Sequence, residues 1–189
     1  MLRIHQFVLV ASTLALSWFA MMVVHESGHV LGAWLTGGTV AKVVLHPLTI
    51  SRTDLSSNPQ PLLVAWAGPL FGVAVPVLVW IIAQWMHVPA CYLVRFFAGF
   101  CSIANGAYLG VGSFDRVGDA GDLLRHGAPA WQLWLFGVIC VLTGFLLWHR
   151  LGTHFGFGES QGRVSIGAAY GALVALILTV TLMTIFGGE

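Results

Sequence analysis

The octapeptide Val23-Val24-His25-Glu26-Ser27-Gly28-His29-Val30 places two imidazoles and a carboxylate inside an apolar run. On an α-helix, His25 and His29 lie on one face, one turn apart, a spacing that suits two ligands of a single tetrahedral metal ion. Glu26 is rotated by about 100° from His25, so it reaches the rim of such a site instead of ligating. From there it can act as a general base on water activated by the metal, the H-E-x-x-H arrangement of zinc hydrolysis. With eight His and three Glu in 189 residues, the composition yields roughly 0.005 chance occurrences of this spacing. A hydrogen-bonded cluster tying helices together would need no particular spacing, so the pattern favours the metal reading. A catalytic zinc usually has three protein ligands and an open position. The third has five candidates elsewhere in the chain: His46, Asp115, Asp119, Asp122 and His126.

The elements that must hold these groups follow from composition. Hydrophobic residues make up 58% of the chain and charged ones 8%, about a third of the charge usual in soluble domains, and the mean hydropathy is +0.88. Such a chain belongs in a bilayer, where a helix needs about 20 apolar residues to cross. The net charge of +1 provides no basic footprint for nucleic acid, so partners are sought in the membrane. Cys91, Cys101 and Cys140 stand far apart, without ligand spacing, and read as small core residues.

Apolar runs cover residues 7–35 (interrupted by the His-Glu-His insertion), 61–86, 92–111, 131–148 and 164–186. The expected fold is therefore an all-α integral membrane protein of about five transmembrane helices, a single transmembrane domain over 1–189. Gly37-Gly38 ends the first span. Thr39 to Gln60 mixes β-branched residues with Lys42, His46, Pro47, Arg52 and Asp54, which predicts short strands or a hairpin at the membrane surface. A polar connector, GSFDRVGDAGDLLRHGAP, follows the third run. Lys and Arg divide evenly between the two faces, so charge does not orient the chain.

Glu26 is the one acidic residue within these runs, and ionisable groups at membrane depth are functional candidates by default. If the first three spans alternate in direction, the connector returns Asp115, Asp119 and Asp122 to the face that carries residues 25–29. That topology favours the aspartates as a group over His46 and His126. A transporter would carry further acidic or His residues along several spans, and the second, fourth and fifth runs have none.

The H-E-x-x-H in the first span, Ala67-Gly68-Pro69-Leu70 in the second, and Asn105, Tyr108, Asp119-Ala120 and Leu123 in and after the third resemble the site-2 protease family of intramembrane zinc metalloproteases, in its small bacterial branch. The similarity runs over about residues 20–135. It implies a three-helix metalloprotease core over residues 5–128, with two additional helices over 129–189. It also implies one zinc per chain held by His25, His29 and Asp119, with Asp122 the nearest competitor, and Glu26 as the base. Asn105 would be a donor to the substrate oxyanion or a bond between helices. Substrates would be transmembrane proteins, the setting a bacterial inner membrane, and the reaction regulated intramembrane proteolysis. Two rival classes are a catalytically silent relative acting as chaperone or regulator, and a metal or proton transporter. In the proteolytic reading, Thr39 to Arg52 would hold an unwound substrate as an added strand.

Overall fold

Leu2 to Leu35 winds into one helix, α1. At 34 residues it measures about 51 Å, well beyond the roughly 30 Å of a hydrocarbon core, so one end projects or the helix tilts. The His25–His29 turn lies about 10–15 Å from its C-terminal end. The computed structural model that reveals this describes residues 2–188. Gly37 stops α1 by entering the left-handed region at φ 76°. The Gly38 N–H then donates back to Ala33 O at 2.8 Å and the Gly37 N–H to Trp34 O at 3.4 Å, the paired bonds of a Schellman stop.

The chain turns directly into an antiparallel hairpin, β1 (Thr39–Val44) and β2 (Arg52–Ser57), in which Val43 faces Thr53 and Val44 faces Arg52. Leu48 and Ile50, in the loop between the strands, are almost fully exposed. Two long helices follow, α2 (Pro61–Trp85) and α3 (Cys91–Asp115). Pro61 opens α2 at a position where its missing N–H is no loss. The helix then continues through Pro69 and Pro76. Pro69 withdraws the N–H that would meet the carbonyl of Ala65, a residue in the wall of the site cavity.

The polar connector is not merely a loop. It contains a short helix, α4 (Gly118–Arg125), whose Ala120 and Leu123 are fully buried against Ala65, Leu109 and Leu133. With Leu124 partly buried against the same cluster, three apolar positions on one face are enough to dock an otherwise polar octapeptide. Arg116 and Gly118 both take positive φ, 55° and 53°, and this double left-handed turn folds α4 back under the end of α3. The chain finishes with α5 (Ala130–Trp148), two short 3-10 turns, and α6 (Ile166–Phe186). Among the described residues, α1, α2, α3, α5 and α6 are long and apolar enough to cross a membrane, as expected of a multi-pass integral membrane protein. α1 packs between α2 and α6, and α3 between α2 and α5, while α4 fills the corner between α2 and α3. The Leu45 N–H, just past β1, donates to Gly187 O at 2.6 Å and fastens the end of α6 to the hairpin.

Candidate metal centre

Close approach of α1 and α2 comes first, because it sets the floor of the site. A Cβ on Gly28 would lie 2.5 Å from Ala67 O, and one on Gly68 would lie 2.3 Å from His29 Nε2. Both are inside any tolerable contact, so only glycine lets the helices meet here and lets the His29 ring lie across α2. On the other side, α3 brings Asn105 against His25, and the turn after α3 brings Asp119.

Three ligand atoms converge. His25 Nε2 lies 2.9 Å from Asp119 Oδ2, His29 Nε2 lies 3.2 Å from the same oxygen, and the two Nε2 atoms are 3.1 Å apart. The ring protons are fixed by the far side of each imidazole. His29 Nδ1 is 2.8 Å from the carbonyl of Val64, which can only accept, so Nδ1 carries the proton and donates. Asn105 Nδ2 donates to Cys101 O at 2.9 Å, which turns Asn105 Oδ1 toward His25 Nδ1 at 2.7 Å, so His25 also donates from Nδ1. Two bare Nε2 lone pairs and a carboxylate oxygen therefore face one another, and the centre of the triangle must hold positive charge, a proton or a cation. A tetrahedral zinc with bonds of about 2.0–2.2 Å spaces its ligand atoms about 3.3–3.6 Å apart, a few tenths of an ångström more than the observed edges, so small side-chain rotations would admit it. The donor set thus fits zinc, and the backing of each imidazole by a hydrogen bond is what orients such ligands.

Asp119 stands in the first turn of α4, where the positive end of the helix favours a carboxylate. Its own N–H, an orphan of that turn, donates to the Tyr108 hydroxyl at 3.2 Å. Burial opposes ionisation of this carboxyl, but the positive charge that the triangle must hold, a proton on the Nε2 of His25 or His29 when no cation is bound, outweighs it and holds Asp119 well below the usual carboxylate range. The other candidates stand apart. Asp122 pairs with Arg125 on the exposed side of α4, His126 Nδ1 donates to Asp122 O at 2.8 Å, and His46 Nδ1 accepts from Leu48 N at 3.3 Å in the hairpin loop. Asp115 is exposed at the end of α3.

Glu26 is buried beside the triad, and its Oε2 accepts from the Thr53 hydroxyl at 2.8 Å. Sequence reasoning placed the hairpin near the site but did not single out Thr53, since strand register decides which side chain points at Glu26. Nor could it find the Val64 carbonyl, which is backbone. Asn105 is brought to the site, yet as the partner of His25, with its amide engaged at both ends.

Two cavities meet at His25, Glu26, Ile50, Ser51 and Tyr108. One, of about 410 Å³, is walled by the triad, β2, Asn58, Asp122 and His126. The other, of about 490 Å³, runs between α1 and α3 past Trp18, Met21, Met22 and Ala104. Both are of the size that takes small ligands or short segments.

No curated protein and no solved structure matches this chain. A family model described as Peptidase M50B-like matches residues 2–104. The match spans the first helix with its H-E-x-x-H and stops short of Asn105 and Asp119, so the third ligand position rests on the geometry alone. Since it covers more than half of the sequence, the chain belongs to the Peptidase M50B-like family.

Proposed function

We propose that this protein is a zinc endopeptidase that hydrolyses peptide bonds of transmembrane or membrane-proximal segments. The observation that carries this reading is the set of three bare donor atoms of His25, His29 and Asp119, mutually 2.9–3.2 Å apart with their tautomers fixed from behind, next to a buried glutamate. Zinc supplies a Lewis acid there, lowering the pKa of a water to about 7 and polarising a carbonyl oxygen. His25, His29 and Asp119 would hold the ion, and Asn105 and the Val64 carbonyl keep the two imidazoles turned toward it. Asn105 is assigned the positioning role because its Oδ1 accepts from His25 Nδ1 while its Nδ2 gives one of its two protons to Cys101 O. Glu26 accepts the proton of the attacking water and afterwards delivers it to the leaving nitrogen.

The two cavities suit the two reactants. The one lined by Asp122, His126 and Asn58 has the polar wall expected of a water route, and the one between α1 and α3 has the apolar wall expected of a membrane segment. A peptide bond within a helix is hidden by its own hydrogen bonds, so the substrate must unwind locally. The β1–β2 hairpin beside the site can receive the unwound segment edge to edge, main chain to main chain.

Glu26→Gln is the decisive variant. Purified in detergent and reconstituted with a panel of transmembrane peptides, it should keep one zinc per chain and bind substrate, while turnover falls by about three powers of ten or more. Helix-breaking residues near the scissile bond should raise the rate of the wild-type protein. A Glu26→Gln protein that cleaves as fast as wild type, or a zinc-loaded wild type that cleaves nothing in the panel, counts against the reading, and the second result favours a silent relative.

A further inference from the structure

Glu26 is 4% exposed, and a carboxylate that far from water needs a hydrogen bond from the protein. Among the described residues the donor to its carboxylate is Thr53 Oγ1, at 2.8 Å from Oε2. The same hydroxyl lies 3.5 Å from the Glu26 carbonyl, and with a single proton to give it serves the nearer, charged oxygen. Thr53 belongs to β2, where it faces Val43 across the ladder. The hydroxyl is therefore presented to α1 by strand register, from the strand that walls the cavity beside the triad.

We infer that Thr53 is a positioning residue for the base: its hydroxyl holds Oε2 of Glu26, leaves Oε1 free for the proton transferred in hydrolysis, and makes the aim of the base depend on the seating of the hairpin. This rests on the peptidase reading above. A glutamate side chain has three rotatable bonds, and packing in a helix fixes the first of them best. A bond at the carboxylate end fixes the rest, and misplacement of a reacting group by about 1 Å costs on the order of a hundredfold in rate. Because Thr53 lies on the strand pair that would seat the substrate, a substrate that seats the hairpin also seats the base.

Thr53→Val keeps the shape and β-branching of the side chain and removes the hydroxyl; Thr53→Ser restores it. With zinc-loaded protein and a cleavable transmembrane peptide, Thr53→Val should lower kcat about ten- to a hundredfold, leave KM and zinc content within about twofold, and leave the melting temperature near that of wild type. Thr53→Ser should recover most of the loss. Independently of turnover, the antisymmetric carboxylate stretch of Glu26, isolated by infrared difference against Glu26→Gln, should shift in Thr53→Val and return in Thr53→Ser. Wild-type kcat in Thr53→Val, or a loss confined to KM or melting temperature with the infrared band unmoved, overturns the inference and leaves the peptidase reading standing. A wild-type protein without turnover overturns the peptidase reading, and the positioning role with it.

Discussion

At the level of single residues, the far sides of the two imidazoles decide what their near sides can do. The Val64 carbonyl and the Asn105 amide claim the Nδ1 protons of His29 and His25, so the Nε2 atoms have no option but to accept. This gives an ordered series for zinc binding, measured by metal analysis and competition with a chelator. His25→Ala, His29→Ala and Asp119→Asn should each abolish stoichiometric zinc. Asn105→Ala, which frees the tautomer of His25 without removing a ligand, should weaken it about 10- to 100-fold. Asp122→Asn, on the exposed side of α4 and paired with Arg125, should change nothing; loss of zinc there with retention in Asp119→Asn would reassign the third ligand. His25, Glu26 and His29 were legible in the sequence because helical periodicity alone sets their relation. Spacing and topology left Asp119 as one of several aspartates near the right face, and only the family resemblance singled it out over Asp122, since the choice among them depends on the turn through Arg116 and Gly118. Thr53 was not legible, because a strand register has no signature in six residues of mixed polarity.

Helices and strands bring constraints that no single residue shows. Replacing a helix-interior glycine by alanine ordinarily stabilises by about 1 kcal/mol, and Gly68 lies in the interior of α2. Here the sign should invert. The new methyl would enter the His29 ring, 2.3 Å from Nε2 and 2.5 Å from Cε1, and the ring cannot turn aside without giving up its bond to Val64. Gly68→Ala should therefore keep or raise helix content by circular dichroism while lowering zinc affinity about a hundredfold; unaltered affinity would mean that α1 and α2 separate easily, against the packing described. The span limits were readable from sequence where a stop was chemical, as at Gly37. They were not readable at α4, because eight residues with a low apolar content become a helix only when Leu109, Ala65 and Leu133 are there to cover Ala120 and Leu123.

For the whole molecule, α1, α2 and α3 alternate in direction, which puts the hairpin, the triad and α4 toward one end of the bundle and the turns between α5 and α6 at the other. In a background with Cys91 replaced, Arg52→Cys and Arg116→Cys should label from the same side of sealed vesicles with an impermeant thiol reagent, and Glu159→Cys from the opposite side. Labelling of positions 52 and 116 from different sides would break the bundle on which the site depends. The number of spans followed from hydropathy; their arrangement did not, since the seating of α6 against α1 and of α5 against α3 depends on which small residues face each other.

The bond from Leu45 to Gly187 has a consequence in time. A ribosome makes the metal ligands at positions 25, 29 and 119 well before it makes residue 187. A chain halted before α6 would already possess the three candidate ligands, but the hairpin that carries Thr53 would lack the clasp on its far side. Under the peptidase reading, capture of the metal is thereby separated in time from the final seating of the strand that holds Glu26.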